Sequence, residues 1–260
     1  NGATVKAFVE LCVRPASGFA WDTISTPQHP SEGIATTLTA IDIYGETVPV
    51  FSGTVTLSAF SGGIAQIGAS TSTWHYPLYA SAYDARTQAI YLASEIPGPG
   101  QITGLALDIT TAPTLVLGNW TIRMKHTALS SYATPDLEGA DWTMVYQADE
   151  EIVGTGWTWF LFPTPFPYNG SDNLMIDFCF DNESNAGSGY VRRSVPGGQR
   201  SVYAFSYNAN GSPLTWSGTV DPSTYATTLV PNIRIRGGNP VDVTPTATGS
   251  FVDGVWTGTV

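Results

Sequence analysis

The chain has 260 residues, of which 42% are hydrophobic, 12% aromatic and only 12% charged, with a formal net charge of −11. Wholesale disorder is excluded, because disordered chains carry few apolar residues and many charges. Nucleic acid and anionic membrane surfaces are poor partners for so acidic a chain, and no apolar run reaches the roughly 18 residues of a spanning helix.

Composition points outside the cell. Lys6 and Lys125 are the two lysines, whereas Ser and Thr number 55, so trypsin-like proteases find few sites. Four N-x-[ST] sequons, at Asn119, Asn169, Asn182 and Asn210, are candidate glycosylation sites. The two cysteines, Cys12 and Cys179, are read as free thiols, with a bridge between them as the alternative. The chain begins at Asn1 rather than Met, as a processed protein or a fragment does.

In chain order, the first predicted element is a strand from Thr4 to Val13. Val5, Ala7, Val9, Leu11 and Val13 share one face, and Lys6, Phe8, Glu10 and Cys12 the other. At about 3.3 Å per residue it spans roughly 33 Å, long for a strand. Arg14-Pro15 and Ser17-Gly18 read as a linker. Helical periodicity is nearly absent beyond it. Gly, Pro and Asn clusters punctuate β-branched and aromatic runs, as in an all-β sandwich. Trp120, Ile122 and Met124 alternate with Thr121, Arg123 and Lys125. Leu174, Ile176, Phe178 and Phe180 alternate with Met175, Asp177, Cys179 and Asp181, and Ile233 and Ile235 with Arg234 and Arg236. Each is expected to bury one face and wet the other. Trp157 and Trp159 share a parity and are expected in the core. Asp149-Glu150-Glu151 reads as a solvated turn.

Two stretches carry a resemblance. Phe19 to Ala59 includes Trp21, Ser25-Thr26-Pro27-Gln28, Thr39 to Gly45 and Phe51 to Ser58, and resembles the first half of a bacterial-surface immunoglobulin-like repeat. Val243 to Val260 is similar to its continuation, although about 180 residues intervene. Ala65 to Gly237 resembles the jelly-roll-like β-sandwich modules of large secreted and surface proteins of bacteria, including type IX-secreted ones. The resemblance therefore implies an all-β chain in three parts. Residues 1–14 are an N-terminal extension and candidate donor strand. Residues 15–63 and 238–260 form a discontinuous immunoglobulin-like domain, incomplete at its C-terminal end. Residues 64–237 form the inserted jelly-roll-like sandwich.

In that family pattern further strands follow Gly254 to Val260. A sandwich lacking a closing strand exposes unpaired backbone groups, while Thr4 to Val13 is a surplus strand. Donation of this strand to the next copy answers both and propagates head to tail as a filament. The duller alternative is a fragment of a longer protein, or pairing of the strand within its own chain.

The sequence offers little chemistry. His29, His75 and His126 are scattered, and no HExxH, GxSxG, P-loop, GxGxxG or CxxC pattern occurs. His126 is expected in the core or at its rim, and His75 in a surface aromatic patch. Asp177, Asp181, Asn182 and Glu183 supply oxygen atoms but no ordered Ca²⁺ spacing, so no metal or cofactor is expected. Trp74, Tyr76, Tyr79 and Tyr83 cluster in sequence, as sugar-stacking residues do. The expectation is a non-enzymatic structural subunit of an extracellular filament or layer, with copies of itself as partners. A glycan-binding, adhesive module is the alternative, with surface glycans as partners.

Overall fold

The structure is a computed structural model that describes residues 16–23, 33–57, 59–61, 63–208, 211–216, 222–241 and 243–260. The expected donor residues Val5, Ala7, Val9, Leu11 and Val13, together with Cys12, His29 and Asn210, lie outside the described residues. The chain is all-β with antiparallel sheets, and no α-helix occurs among the described residues. In order, the strands are β1 (Gly18–Trp21), β2 (Ala35–Ile41), β3 (Ala59–Ser61), β4 (Ile64–Ile67), β5 (Thr73–Trp74), β6 (Asp84–Tyr91), β7 (Gly100–Thr111), β8 (Leu117–Thr127) and β9 (Thr143–Glu150). They continue with β10 (Gly156–Tyr168), β11 (Asn173–Asp181), β12 (Tyr190–Ser194), β13 (Ser201–Ser206), β14 (Thr224–Thr227), β15 (Val230–Pro231), β16 (Ile233–Val241) and β17 (Val255–Thr259). Two compact units result, one from residues 1–59 and 240–260, the other from residues 60–239.

The larger unit contains a six-stranded sheet in the order β14-β13-β6-β11-β8-β9. A second sheet has β7 at its centre, paired with β10 on one side and with β16 and β12 on the other. The inner faces of both sheets share one core. Trp120 and Phe178 lie in the first sheet, and Phe160, Leu107 and Ile235 in the second. The Trp120 ring lies 5.6 Å from that of Phe160 and 5.9 Å from that of Phe178. Each fully buried side chain of this size contributes about 1.5–3 kcal/mol. The alternation read from the sequence is correct in phase for β8, β11 and β16.

The second face of the six-stranded sheet is not wet, contrary to the sequence expectation. Met175, Asp177 and Cys179 of β11, Thr121 and Lys125 of β8, and Arg86, Gln88 and Ile90 of β6 are all buried. A lid does this. The segment 128–142 and the 3-10 turn Pro213–Thr215 lay Tyr132, Leu137 and Trp216 over the sheet, against Ile90, Met175 and Val202. Polar residues were therefore placed under a cover that period-two reasoning does not see. A second correction concerns Trp157 and Trp159. They lie half-buried on β10, and the core-facing residues are Phe160, Phe162 and Phe166 instead. A third concerns Asp149 and Glu150, which close strand β9 rather than forming a turn.

The smaller unit has a three-stranded sheet in the order β1-β2-β17. Ser17 and Gly18, read above as linker, already enter it. Ser17 N–H donates to Ile41 C=O at 2.8 Å, and Gly18 opens β1. The tight turn before β17 follows from Asp253-Gly254, whose φ values of 51° and 76° suit an Asp-Gly hairpin turn. A Cβ on Gly254 would lie 2.3 Å from the Val48 carbonyl oxygen, so the turn admits only glycine there.

Candidate functional site

The smaller unit builds its core from few residues. Leu38 and Ala40 of β2 face Val48, Leu57, Phe251 and Trp256. A second layer comes from the segments 53–57 and 246–251. There Leu57 N–H donates to Thr246 C=O at 2.9 Å, and Thr248 N–H to Val55 C=O at 2.8 Å. Phe19 of β1 reaches this layer, with its ring 5.2 Å from Phe51 and 5.7 Å from Phe251.

Among the described residues, β1 is an edge strand of its sheet. Phe19 pairs across the sheet with Ala40, and Trp21 with Leu38. Cross-strand partners project to the same face, so both rings lie on the core side. Yet Phe19 is 38% exposed and Trp21 46% exposed. Among the described residues, the core is thus uncovered along the β1 edge. The opposite edge is closed, because Trp256 of β17 is 9% exposed. Among the described residues, no strand pairs with the outer edge of β17. Ile34 and Val260 exchange both of their hydrogen bonds. Alternation along the ladder then turns the Thr257 and Thr259 amides away from β2.

The other sequence candidates are dispersed. Asn119 is exposed at a positive φ of 49°. Asn169 is exposed, but its Oδ1 accepts the Ser171 and Asp172 amides and its Nδ2 donates to Asp172. Asn182 is buried and its Oδ1 accepts the Gly118 amide at 2.6 Å, so glycosylation requires it to leave this position. Asp177 gives one oxygen to Arg86 and the other to Arg123, which removes it from any Ca²⁺ set with Asp181. Among the described residues, no group of three or more His, Cys, Asp or Glu side chains is placed to hold a metal ion.

Several other titratable groups among the described residues are engaged in packing. His126 stacks on Tyr168 and its Nε2 accepts the Asn169 amide at 3.1 Å, a rim position. His75 packs on Tyr190 at 4.3 Å, and burial lowers its pKa. Cys179 is a free thiol, pushed up to about 12 by burial and then by the Asp177 charge. A thiol in that state is unreactive. Arg200 donates to Glu95 and to the Ile90 carbonyl, Arg234 lies 4.3 Å over the Trp157 ring, and Lys125 pairs with Glu138 at 3.1 Å. Much of the scarce positive charge is consumed inside the fold.

Comparison with family models, with curated proteins and with solved structures finds no match to this chain. Sequence reasoning missed the Phe19–Trp21 edge as a site. Its signal was present, since both rings share a parity in a strand that ends at Trp21, but the parity alone does not tell an edge from a core strand.

Proposed function

We propose that this chain is a non-enzymatic, extracellular structural protein, the subunit of a surface filament or layer whose copies join head to tail by β-strand donation. The smaller unit is an immunoglobulin-like sandwich, and the larger a jelly-roll-like sandwich inserted into it. The observation that carries the reading is the exposure of Phe19 and Trp21 on the core side of an edge strand. An edge with uncovered aromatics invites an added strand. The apolar stripe Val5, Ala7, Val9, Leu11 and Val13 of a neighbouring copy has the alternation such a strand needs. Burying it contributes about 25 cal/mol per Å² of apolar surface covered.

The acidic, lysine-poor surface fits the extracellular setting. The test is negative-stain electron microscopy of the native chain beside a variant lacking residues 1–14. Filaments in the first that vanish in the second are expected. Monodisperse particles in both overturn the proposal.

A further inference from the structure

The larger unit carries a second surface feature, independent of strand donation. Where β13 and β14 form the edge of the six-stranded sheet, Tyr203 pairs with Tyr225 across the strands, their rings 5.4 Å apart and 24° from parallel. The Phe205 ring lies 6.2 Å from Tyr225 at 20°. Tyr207 and Tyr79 meet Phe205 edge-on at 5.5 and 5.1 Å. The result is a ledge of five rings. It is wet as well as aromatic, with Tyr207 53% and Tyr225 45% exposed.

Two properties limit what can sit there. First, the rings pack on one another, and two of them are tied by a hydrogen bond. The Tyr79 and Tyr207 hydroxyls hydrogen-bond to each other at 2.7 Å. That bond, then burial, pushes the Tyr79 phenol up to about 12, so it stays neutral. Two phenols that share one hydrogen bond retain one O–H donor and spare lone pairs for a ligand. Second, all five ledge side chains are uncharged, on a chain of net charge −11. The ledge offers π faces, donors and acceptors, but no ionic handle.

We infer that this ledge binds a neutral oligosaccharide. A pyranose ring has an apolar C–H face, which stacks on an aromatic ring, and a rim of hydroxyls, which needs both donors and acceptors. Rigid rings bind at low entropic cost, because little side-chain freedom is left to lose. Parallel rings on adjacent strands suit consecutive sugars of one chain rather than a single monosaccharide.

The test is affinity electrophoresis of the full chain in gels containing soluble mixed-linkage β-glucan, glucomannan, xylan or α-mannan. Retardation by at least one of them is expected. Tyr207→Ala and Tyr225→Ala should each weaken it about tenfold, while Leu161→Ala, exposed on another strand, leaves it unchanged. Tyr79→Phe keeps the ring and removes the hydroxyl bond, and should weaken it about threefold with the thermal midpoint preserved. Raising NaCl from about 50 to 500 mM should change binding less than twofold, since no ion pair is involved. Retardation by none of the four polymers overturns the inference, as does equal retardation of the tyrosine variants. Loss of self-association in those variants, without a saccharide effect, assigns the ledge to a second copy and also overturns it.

Discussion

Arg86 Nε donates to Asp177 Oδ1 at 2.9 Å, and neither side chain is reached by solvent. The rest of the guanidinium is also satisfied. It donates to the carbonyls of Trp216 and Pro213 through Nη1 and to that of Glu138 through Nη2. Asp177 Oδ2 is taken by Arg123. The pair therefore pins the lid to the sheet beneath it. Both covering segments dock through their backbone carbonyls onto one buried cation.

Asp177→Asn leaves Arg86 buried without its counter-charge, which costs about 3–5 kcal/mol. The double change Arg86→Met with Asp177→Leu should cost less than the single one, because the fully buried Arg86 charge goes with its partner and Arg123, left alone, is partly reached by solvent. Urea unfolding of the two variants checks this. A single variant that matches the native chain would show that the lid does not depend on the pair.

Trp21→Ser should abolish assembly with little cost to the folded subunit, because that ring is already half in water. Thr257→Pro removes an outward amide from the opposite edge and should leave assembly intact. Light scattering on both variants tells which edge accepts the strand. The reverse pattern moves the acceptor to β17.

Acid stability should depend on Glu95. Burial pushes its pKa up, but hydrogen bonds from Arg200 and the Leu92 amide outweigh this and leave it below 4.5. The folded state therefore holds its proton less tightly than the unfolded state. The stabilisation is present in full above about pH 4.5 and is lost as the pH falls below it. Thermal midpoints between about pH 7 and 3 should drop less steeply in Glu95→Gln than in the native chain.

Cys179 should be silent in the folded protein. In a Cys12→Ser background, a thiol reagent at pH 8 should label nothing until denaturant is added, and then one thiol. Labelling of the folded chain would mean that the lid opens on the timescale of the reagent.

Much of the β architecture was legible from alternation. The phases of β8, β11 and β16 follow directly from Trp120 to Lys125, Leu174 to Asp181 and Ile233 to Arg236, because a one-residue slip would turn every apolar residue outward. What alternation cannot state is the fate of the second face. Asp177 looks like a surface residue by type, and it is enclosed because a segment far from it in sequence, 128–142, lies over the sheet. Trp157 and Trp159 failed for the related reason that an aromatic at a strand position does not declare which of two faces is the core.

The candidate edge divides in the same way. The Thr4 to Val13 pattern and the lysine-poor, hydroxyl-rich composition are properties of the sequence itself. Local periodicity and residue type suffice to establish strands, their phase and an acidic surface. The uncovered Phe19 and Trp21, the Arg86–Asp177 clamp and the five-ring ledge exist only because residues far apart in the chain meet. Tyr79 and Tyr207 are 128 positions apart. Their contact is decided by which strands pair and what covers them, and that is set by the tertiary fold.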